Sequence, residues 1–417
     1  MARFVAWPLA LFAATALAVS SNDLGSVLQR QHNLTTFYDL IKNNSDVLLQ
    51  LPSSDGVTIC AASDAAFSNI PYTSLNGVWD PDDKAKTTAF LQYHIIKGSI
   101  NTGDLQSGPA YLEPTLLTAS EYTNVTSGQN VLLNKQPGDV VVLTSSLGTR
   151  CTVLERDIAF QGGRIQIIDN LLIPPAPLRA TAETFQAQSF VAGLYAAGLM
   201  PDVGERRNIT VFAPRDAAME LVGGSLEKLG GGGGGGALAR VMGYHIVPDR
   251  ILSSADLANG TVLATLSRGG SNDTSGNSSS GGSSSSSPGL TVRQEGNSKF
   301  VNAAQIVQPD ILLANGIMHL VADVLNPDAP AAVPNASLAT QTPAFPVSVA
   351  SRPFASALPC TADCPTSTDS ASASATATTA TMGSGGKSKS SKNNGVPAPT
   401  AHAAVAALGV LGAGLLL

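Results

Sequence analysis

Two clusters of side chains in this chain have the types and spacings that could do chemistry. Asp80, Asp82 and Asp83 offer the carboxylates of a metal-binding loop, although the further ligands of such a loop are missing downstream. Gly386-Lys387-Ser388 imitates the end of a phosphate-binding loop, yet Thr381 stands where the first glycine of that loop belongs. The acids fit a helix start better, because they flank Pro81 at a first helical position and favour the positive end of the helix dipole. Neither cluster predicts a catalytic or metal site.

The remaining motifs and the charge balance narrow the function further. The glycine tract 230–236 matches a dinucleotide fingerprint only because every position is glycine, and it follows a helical stretch, not a strand. With five histidines and no H-E-x-x-H, C-x-x-C or G-x-S-x-G motif, the sequence predicts a protein that is not an enzyme and uses no cofactor. The 30 acidic against 24 basic side chains, with no basic face, exclude nucleic acid as a partner.

The amino terminus has the pattern of a secretory signal peptide. Arg3 precedes an apolar run from Phe4 to Ala14, and Ala16 and Ala18 form a small-x-small cleavage site. A membrane anchor is the alternative, but an apolar stretch of about 15 residues is too short to span a bilayer. We therefore predict that residues 1–18 are removed.

The carboxyl terminus has the pattern of a signal for a glycosylphosphatidylinositol (GPI) lipid. Ala403 to Leu417 is apolar and uncharged, and as a helix it would reach only about 22 Å. A hydrocarbon core is about 30 Å thick, and basic residues precede this tail but do not follow it. Small residues, a polar spacer and an apolar tail predict removal of residues 394–417 and attachment of the lipid at Asn393, with Ser384 and Ser391 as alternatives.

Residues 329–393 consist largely of Ala, Ser, Thr and Pro, a composition that cannot bury enough apolar surface to fold. We predict that this segment is a disordered, O-glycosylated stalk. Within it, the spacing of Cys360 and Cys364 favours a local disulfide over a metal site, which would need more ligands nearby.

Between its ends the sequence repeats itself at a period of about 150 residues. Three blocks recur in the same order, and each pairs a segment of the first copy with one of the second: 57–67 with 209–219, 93–96 with 244–247, and 163–174 with 316–327. The copies are collinear, so we predict two homologous domains, residues 22–177 and 180–328.

Each block predicts local structure. The first is a buried strand that turns into a helix at Ser63-Asp64 or at Asp216, where a short side chain can cap the first turn. The second is a helix from about Asp80 that yields to a strand at Ile95-Ile96. The third alternates apolar residues and stops at Pro174, as a strand does. Helices and strands in similar number predict an α+β domain.

These blocks resemble the fasciclin (FAS1) domain family. Its first block reads T-V-F-A-P-T-D-x-A-F, its second contains Tyr-His followed by aliphatic residues, and its third reads N-G-x-I-H-V-I-D-x-V-L-x-P; the resemblance spans residues 22–327. Departures occur in detail: Cys60 replaces a Phe and Gln166 replaces the His that the second copy keeps as His319. The resemblance implies two tandem FAS1 domains, each a mixed β-sandwich or wedge with flanking helices.

The resemblance also implies candidate adhesion residues. In animal relatives the Tyr-His region takes part in integrin-dependent adhesion, and short Asp-Ile peptides are adhesive; the matching positions here are Tyr93, His94, Tyr244, His245, Asp310 and Ile311. Each has a structural alternative. A histidine beside a buried aliphatic run is usually a core residue that bonds backbone groups, and Asp157-Ile158 occupies in the first copy the position of Asp310-Ile311.

Further modification sites follow from a secretory route. Cys60 and Cys151 form either a disulfide or two buried thiols. The N-x-S/T pattern predicts N-glycosylation at Asn33, Asn43, Asn124, Asn208, Asn259, Asn272, Asn277 and Asn335. Asn43 and Asn208 have less support, because they adjoin core elements. The Gly tract 230–236 and the Ser/Gly tract 267–287 are predicted surface loops, at a helix junction and a hairpin tip.

The sequence thus predicts a lipid-anchored glycoprotein on the outer face of the plasma membrane, from which it could pass to the cell wall. Its two domains would mediate adhesion or contact with wall or matrix glycans and proteins. Each contact would be weak, and the binding strength of many anchored copies would add through their effective concentration. By resemblance, the composition is closest to that of fungal surface proteins, and plant surface proteins are the second choice. The alternative is an extracellular or vacuolar carrier that holds a glycan or small apolar ligand in a cleft between the domains.

Overall fold

The computed structural model describes residues 22–51, 56–73, 75, 80–231, 235–267, 289–335 and 337–359. Domain 1 contains helices α1 to α4 and strands β1 to β7. The helices are Leu24–Gln29, Thr35–Asn43, Asp64–Ser68 and Lys84–Tyr93. The strands are Val57–Ala62, Ile95–Lys97, Ala110–Pro114, Asn130–Gln136, Val140–Thr144, Arg150–Phe160 and Gly163–Ile168.

Domain 2 repeats this order with helices α5 to α9 and strands β8 to β14. The helices are Leu178–Thr184, Gln188–Ala196, Asp202–Glu205, Asp216–Gly230 and Gly235–Gly243. The strands are Ile209–Pro214, Ile246–Val247, Val262–Leu263, Leu290–Glu295, Ser298–Val301, Ala304–Leu313 and Gly316–Val321.

Each domain is built on one mixed, seven-stranded sheet. The strand order is β2-β1-β7-β6-β5-β4-β3 in domain 1 and β9-β8-β14-β13-β12-β11-β10 in domain 2, so the two topologies are the same. The first strand of each domain pairs with the last in parallel, β1 with β7 and β8 with β14, and the other neighbouring strands pair antiparallel. This parallel pair occupies the second and third positions of the sheet, next to one edge strand. The predicted α+β fold is confirmed in both copies.

The close approach of the parallel strands explains a glycine that begins the third sequence block in each copy. A Cβ atom on Gly163 would lie 1.9 Å from the carbonyl oxygen of Val57, and one on Gly316 would lie 1.9 Å from that of Ile209. No side chain fits there, so glycine is required by backbone contact.

The structure corrects the predicted helix starts. Helix α4 begins at Lys84 with Asp83 as its N-cap, whereas Asp80 accepts a hydrogen bond from the Asp82 N–H in the turn before it, so Pro81 is not at a first helical position. Ser63 caps α3 as predicted, but the carboxylate of Asp64 accepts N–H groups of Thr35 and Thr36 and so caps α2.

The same cross-cap occurs in domain 2. The Asp216 carboxylate accepts the Ser189 N–H, 2.7 Å away, at the start of α6, and no side chain caps α8. For Asp64, partial burial raises the pKa, but hydrogen bonds from Thr36 and Thr35 outweigh it and hold the pKa below its ordinary value. The recurring Asp therefore ties two helices together.

The structure also corrects the boundary of the predicted stalk. Residues 343–359, which we call the strap, pack on domain 2: the Ser348 N–H donates to the Leu221 carbonyl and the Gly224 N–H donates to the Ser348 carbonyl. The strap adds Phe345, Phe354 and Leu358 to the apolar core of domain 2. Three large apolar side chains and direct backbone bonds to α8 repay the ordering that the surrounding Ala, Ser and Pro residues alone could not.

Candidate functional site

The paired histidines are core residues in both domains. His94 and His245 are fully buried, one and two residues beyond a helix respectively, and each comes just before the second strand of its domain. His94 Nδ1 donates to the Phe90 carbonyl at 2.9 Å, and its Nε2 accepts the Leu172 N–H at 3.1 Å. Each ring thus clamps the end of a helix to the chain that follows the last strand.

The second clamp has the same geometry. His245 Nδ1 donates to the Val241 carbonyl at 2.9 Å, and its Nε2 accepts the Leu325 N–H at 3.0 Å. Burial lowers the pKa of both histidines to about 4, because a charged ring would lose its water, although the carbonyl contacts favour the charged form. Both rings are neutral at physiological pH.

The neighbouring tyrosines are also buried. The Tyr93 hydroxyl donates to the Asn130 carbonyl at 2.9 Å, and the Tyr244 hydroxyl donates to the Gly289 carbonyl at 2.9 Å. Each hydroxyl ties a helix to the fourth strand of the sheet or to the residue before it. Because all four Tyr and His side chains are buried, none of them offers a surface that a partner could contact directly.

Asp310 lies at a bulge in β13, where its φ is +61°, and Asp157 lies at the matching bulge in β6 with a φ of +59°. The Asp310 carboxylate accepts the N–H and hydroxyl of Ser254, as the Asp157 carboxylate accepts those of Thr102. These bonds hold a left-handed backbone that costs of order 1–3 kcal/mol. Asp310 and Ile311 are both buried, which agrees with their structural alternative.

Gln166 in domain 1 and His319 in domain 2 make equivalent hydrogen bonds to the bulge. His319 accepts the Asp310 N–H at Nδ1 and donates from Nε2 to the Leu252 carbonyl at 2.8 Å. Gln166 accepts the Asp157 N–H at Oε1, 2.9 Å away, and donates to the Asp157 carboxylate and the Ile100 carbonyl. An amide offers the same donor and acceptor as a neutral imidazole, which explains the substitution in the first copy.

The two domains dock through a junction of backbone and side-chain hydrogen bonds. Ala314, in the turn between β13 and β14, accepts the Asn124 N–H at 2.8 Å and donates its own N–H to the Ala176 carbonyl at 3.0 Å. The buried side chain of Gln129 donates to the carbonyls of Leu313 and Ala314. Ala110, Leu132 and Leu312 form a small apolar cluster across the junction.

A cleft of about 500 Å³ opens beside this junction. Its walls are β4, β5 and the loop before β6 from domain 1, Phe185 after α5, and the β13 bulge at residues 308–312. Lys135 and Arg150 are its basic residues and Asp310 is its acid. Because the cleft exists only where residues far apart in the chain meet, no local sequence signal could have identified it.

Of the two alternatives for the cysteines of domain 1, the structure has the two buried thiols and not the Cys60–Cys151 disulfide. Both are buried, and the Cys151 thiol donates to the Leu171 carbonyl at 3.5 Å. Burial raises the pKa of Cys60 to about 12, so this thiol stays protonated and unreactive. Cys360 and Cys364 lie outside the described residues.

The predicted glycosylation sites differ in their surroundings. Asn43, Asn259 and Asn335 are exposed and Asn33 is half-buried. Asn124 and Asn208 lie at the domain junction: Asn208 Nδ2 donates to the Thr126 hydroxyl at 2.7 Å and Asn124 Nδ2 donates to the Glu205 carbonyl at 3.1 Å. Asn272 and Asn277 lie outside the described residues.

Several other predictions fall on residues that the structure does not describe: the signal peptide, the GPI signal with Asn393, the stalk beyond the strap and most of the Ser/Gly tract. The described part of the chain has no helix long and apolar enough to cross a bilayer. Nor does that part bring together three or more His, Cys, Asp or Glu side chains that could hold a metal ion.

Comparison with known proteins agrees with the repeat. The sequence profile of the fasciclin domain matches residues 32–174 and 185–327. A fasciclin-like arabinogalactan protein of Arthroderma benhamiae is 24% identical over 338 residues, 81% of this chain and 73% of that protein. Another, of Phaeosphaeria nodorum, is 25% identical over 310 residues, 74% of this chain and 90% of that protein. The FAS1 domain pair of the insect cell adhesion molecule Fasciclin I aligns with 70% of this chain and 97% of its own at 21% identity and a TM-score of 0.31.

Proposed function

Because the chain belongs to the fasciclin domain family, whose members are adhesion and cell-surface proteins and are generally non-catalytic, we propose that it is a non-enzymatic cell-surface glycoprotein. Its two fasciclin domains mediate cell adhesion or contact with the cell wall or matrix. The proposal rests on one observation, two complete copies of the domain that dock on each other.

The buried Tyr-His pairs direct the search for the adhesive surface elsewhere. A partner meets exposed residues, and among the large apolar residues that the structure describes in domain 1, Tyr72 at 88% and Leu49 at 86% have the largest exposed fractions. Each contact of this kind is weak, so avidity from many copies on one surface supplies the strength. A GPI lipid attached at Asn393 would hold those copies in place, before or after transfer to the wall.

The experiment is release of the tagged native protein from intact cells, with phosphatidylinositol-specific phospholipase C and a wall glucanase used in parallel. Release by either enzyme is the expected result. Adhesion of deletion cells is then compared with that of cells carrying the wild-type chain, and with cells carrying Tyr72→Ser and Leu49→Ser together. Retention inside the cell despite both enzymes would contradict the surface assignment, and unchanged adhesion of deletion cells would contradict the adhesive role.

A second candidate function is supported by the cleft. A volume of about 500 Å³ at a domain junction, lined by both apolar and polar side chains, is the usual setting of a small-ligand site. In that case the chain is an extracellular carrier or receptor for a small molecule.

A further inference from the structure

We propose that the cleft between the domains binds an acidic sugar, a hexuronic acid residue free or at the end of a glycan, with Arg150 as the ligand of its carboxylate. This inference rests on the second candidate function, the small-ligand site, and is independent of the adhesive role. The argument starts from which polar groups of the cleft are already engaged and which remain available.

Two of the three charged groups in the cleft are engaged within the protein. Lys135 Nζ lies 2.8 Å from the Asp139 carboxylate and donates to the Thr102 carbonyl at 3.2 Å. Both carboxylate oxygens of Asp310 accept hydrogen bonds from Ser254. Both groups therefore already have hydrogen-bond partners within the protein, which leaves them less free to turn toward a ligand.

Arg150 is different. It is exposed, it lies at the start of β6 opposite Thr144, and no Asp or Glu among the described residues lies within 4.0 Å of its guanidinium. With Lys135 and Arg150 against the single acid Asp310, the lining has a formal charge of +1, and Arg150 is the basic group that a ligand can reach. A guanidinium presents parallel N–H groups that match a carboxylate in a bidentate pair, which favours an anionic ligand with a planar head.

The neutral groups indicate a polyhydroxylated ligand. The amides of Gln136 and Gln308 line the cleft and make no side-chain hydrogen bond with other described residues. Each amide can donate to and accept from a hydroxyl group. Gln136 comes from domain 1 and Gln308 from domain 2, so a ligand that meets both bridges the two domains.

The apolar lining fits the C–H face of a sugar ring. Val142, Ile311 and Phe185 line the same cleft, and a Cβ placed on Gly148 would lie 3.5 Å from the Phe185 ring, so the ring packs closely against the loop before β6. The walls are fixed before a ligand arrives: Ser254 holds the bulge at Asp310, and the Thr149 N–H donates to the Ser146 carbonyl at 2.9 Å. Fixed walls lower the ordering cost of binding.

The test is saturation-transfer NMR and calorimetry with the folded protein and four probes: glucuronic acid, glucose, inorganic phosphate and the neutral apolar dye Nile red. We expect glucuronic acid to bind with a dissociation constant of about 1 mM, the affinity that about 13 non-hydrogen atoms provide in an open site. Glucose and phosphate are each expected to bind at least about tenfold more weakly, since each lacks half of the contacts.

Variants connect the affinity to the cleft. Arg150→Gln is expected to weaken glucuronic acid binding at least about tenfold, and Gln308→Ala severalfold, because each removes one polar contact. Arg207→Gln is the matched control: Arg207 is an exposed arginine that does not line the cleft, and its loss leaves binding unchanged. Circular dichroism checks that each variant folds. A glycan with a terminal hexuronic acid, run in parallel, distinguishes a free sugar from a chain end as the natural source.

Four results would overturn the inference. Equal binding of glucose would show that the carboxylate is not recognised. Equal binding of phosphate would show a general anion site. Nile red binding in the cleft without acidic-sugar binding would keep the small-ligand function and reject the sugar, whereas failure of every probe would reject both.

Discussion

Acidification tests the assignment of His94 and His245 as neutral, buried clamps. A histidine whose pKa falls from 6.5 to about 4 on folding binds a proton more readily in the unfolded chain. The contribution of each neutral histidine to stability is therefore fully present above about pH 6.5 and is lost as the pH falls toward about 4. At about pH 4.5 this linkage lowers the free energy of unfolding by about 2.5 kcal/mol in each domain.

Among the other groups, His319 in domain 2 also has a pKa lowered by burial, whereas the acids titrate in a lower range or in the opposite direction. The pKa values of Asp64 and Asp157 are lowered, so their stabilising effect is present above the ordinary value of 3.8 and is lost only below it. Burial raises the pKa values of Glu113 and Asp323, and these acids favour the folded state as the pH falls. The difference between wild type and a histidine variant isolates the clamp.

The assay is urea unfolding followed by far-UV circular dichroism at about pH 7 and about pH 4.5. At the higher pH, His245→Leu is expected to cost about 1–3 kcal/mol because the buried N–H of Leu325 loses its acceptor. At the lower pH the variant is expected to lose about 2.5 kcal/mol less than wild type. His32→Leu, at an exposed histidine, is the control. Equal acid losses in wild type and His245→Leu would refute the clamp.

Three further outcomes follow from close contacts in the structure. Gly316→Ala is expected to destabilise domain 2 by about 3 kcal/mol or more in urea unfolding. The control Gly236→Ala places a Cβ that meets nothing within 4 Å, so it is expected to be neutral or stabilising. Equal effects of the two substitutions would contradict the backbone contact at Gly316. In the folded fraction, peptide mass spectrometry is expected to find Asn259, which is exposed, with a glycan and Asn208 without one. The reason is that Asn208 Nδ2 is hydrogen-bonded at the domain junction. High glycan occupancy at Asn208 would show that the junction opens. Gly224→Val is expected to displace the strap and expose it to limited proteolysis, because a Cβ at this position lies 2.5 Å from the Ser348 hydroxyl. A strap that remains uncut in this variant would argue against its packing on α8.

Sequence patterns predicted the fold because three blocks repeat in order and each has its own periodicity. They predicted that Ser63 caps a helix, but they could not show that Asp64 caps a different helix, since that partner lies about 30 residues upstream. The alternatives for His94 were separated only by burial, because a pattern of buried aliphatic neighbours is common to core and interface residues.

The candidate site was beyond the sequence for a related reason. Arg150 and Gln308 meet across one cleft only after two folded domains dock, and the docking depends on backbone groups such as the Ala314 carbonyl, which any residue provides. The strap was missed because its composition is that of a disordered segment, while its three anchoring aromatic and aliphatic side chains are widely spaced.

The parallel pairing of first and last strands sets an order of assembly during synthesis. Strand β1 is made early, but its parallel neighbour β7 is roughly 100 residues further along the chain, and the same separation divides β8 from β14. Contacts between such distant segments form slowly. Until β7 arrives, β1 can pair only with β2 and its other edge has no strand partner, so the nascent domain spends that interval with an incomplete sheet. The chain is therefore most vulnerable to aggregation just before the last strand of each domain is made, and chaperone dependence should be concentrated there.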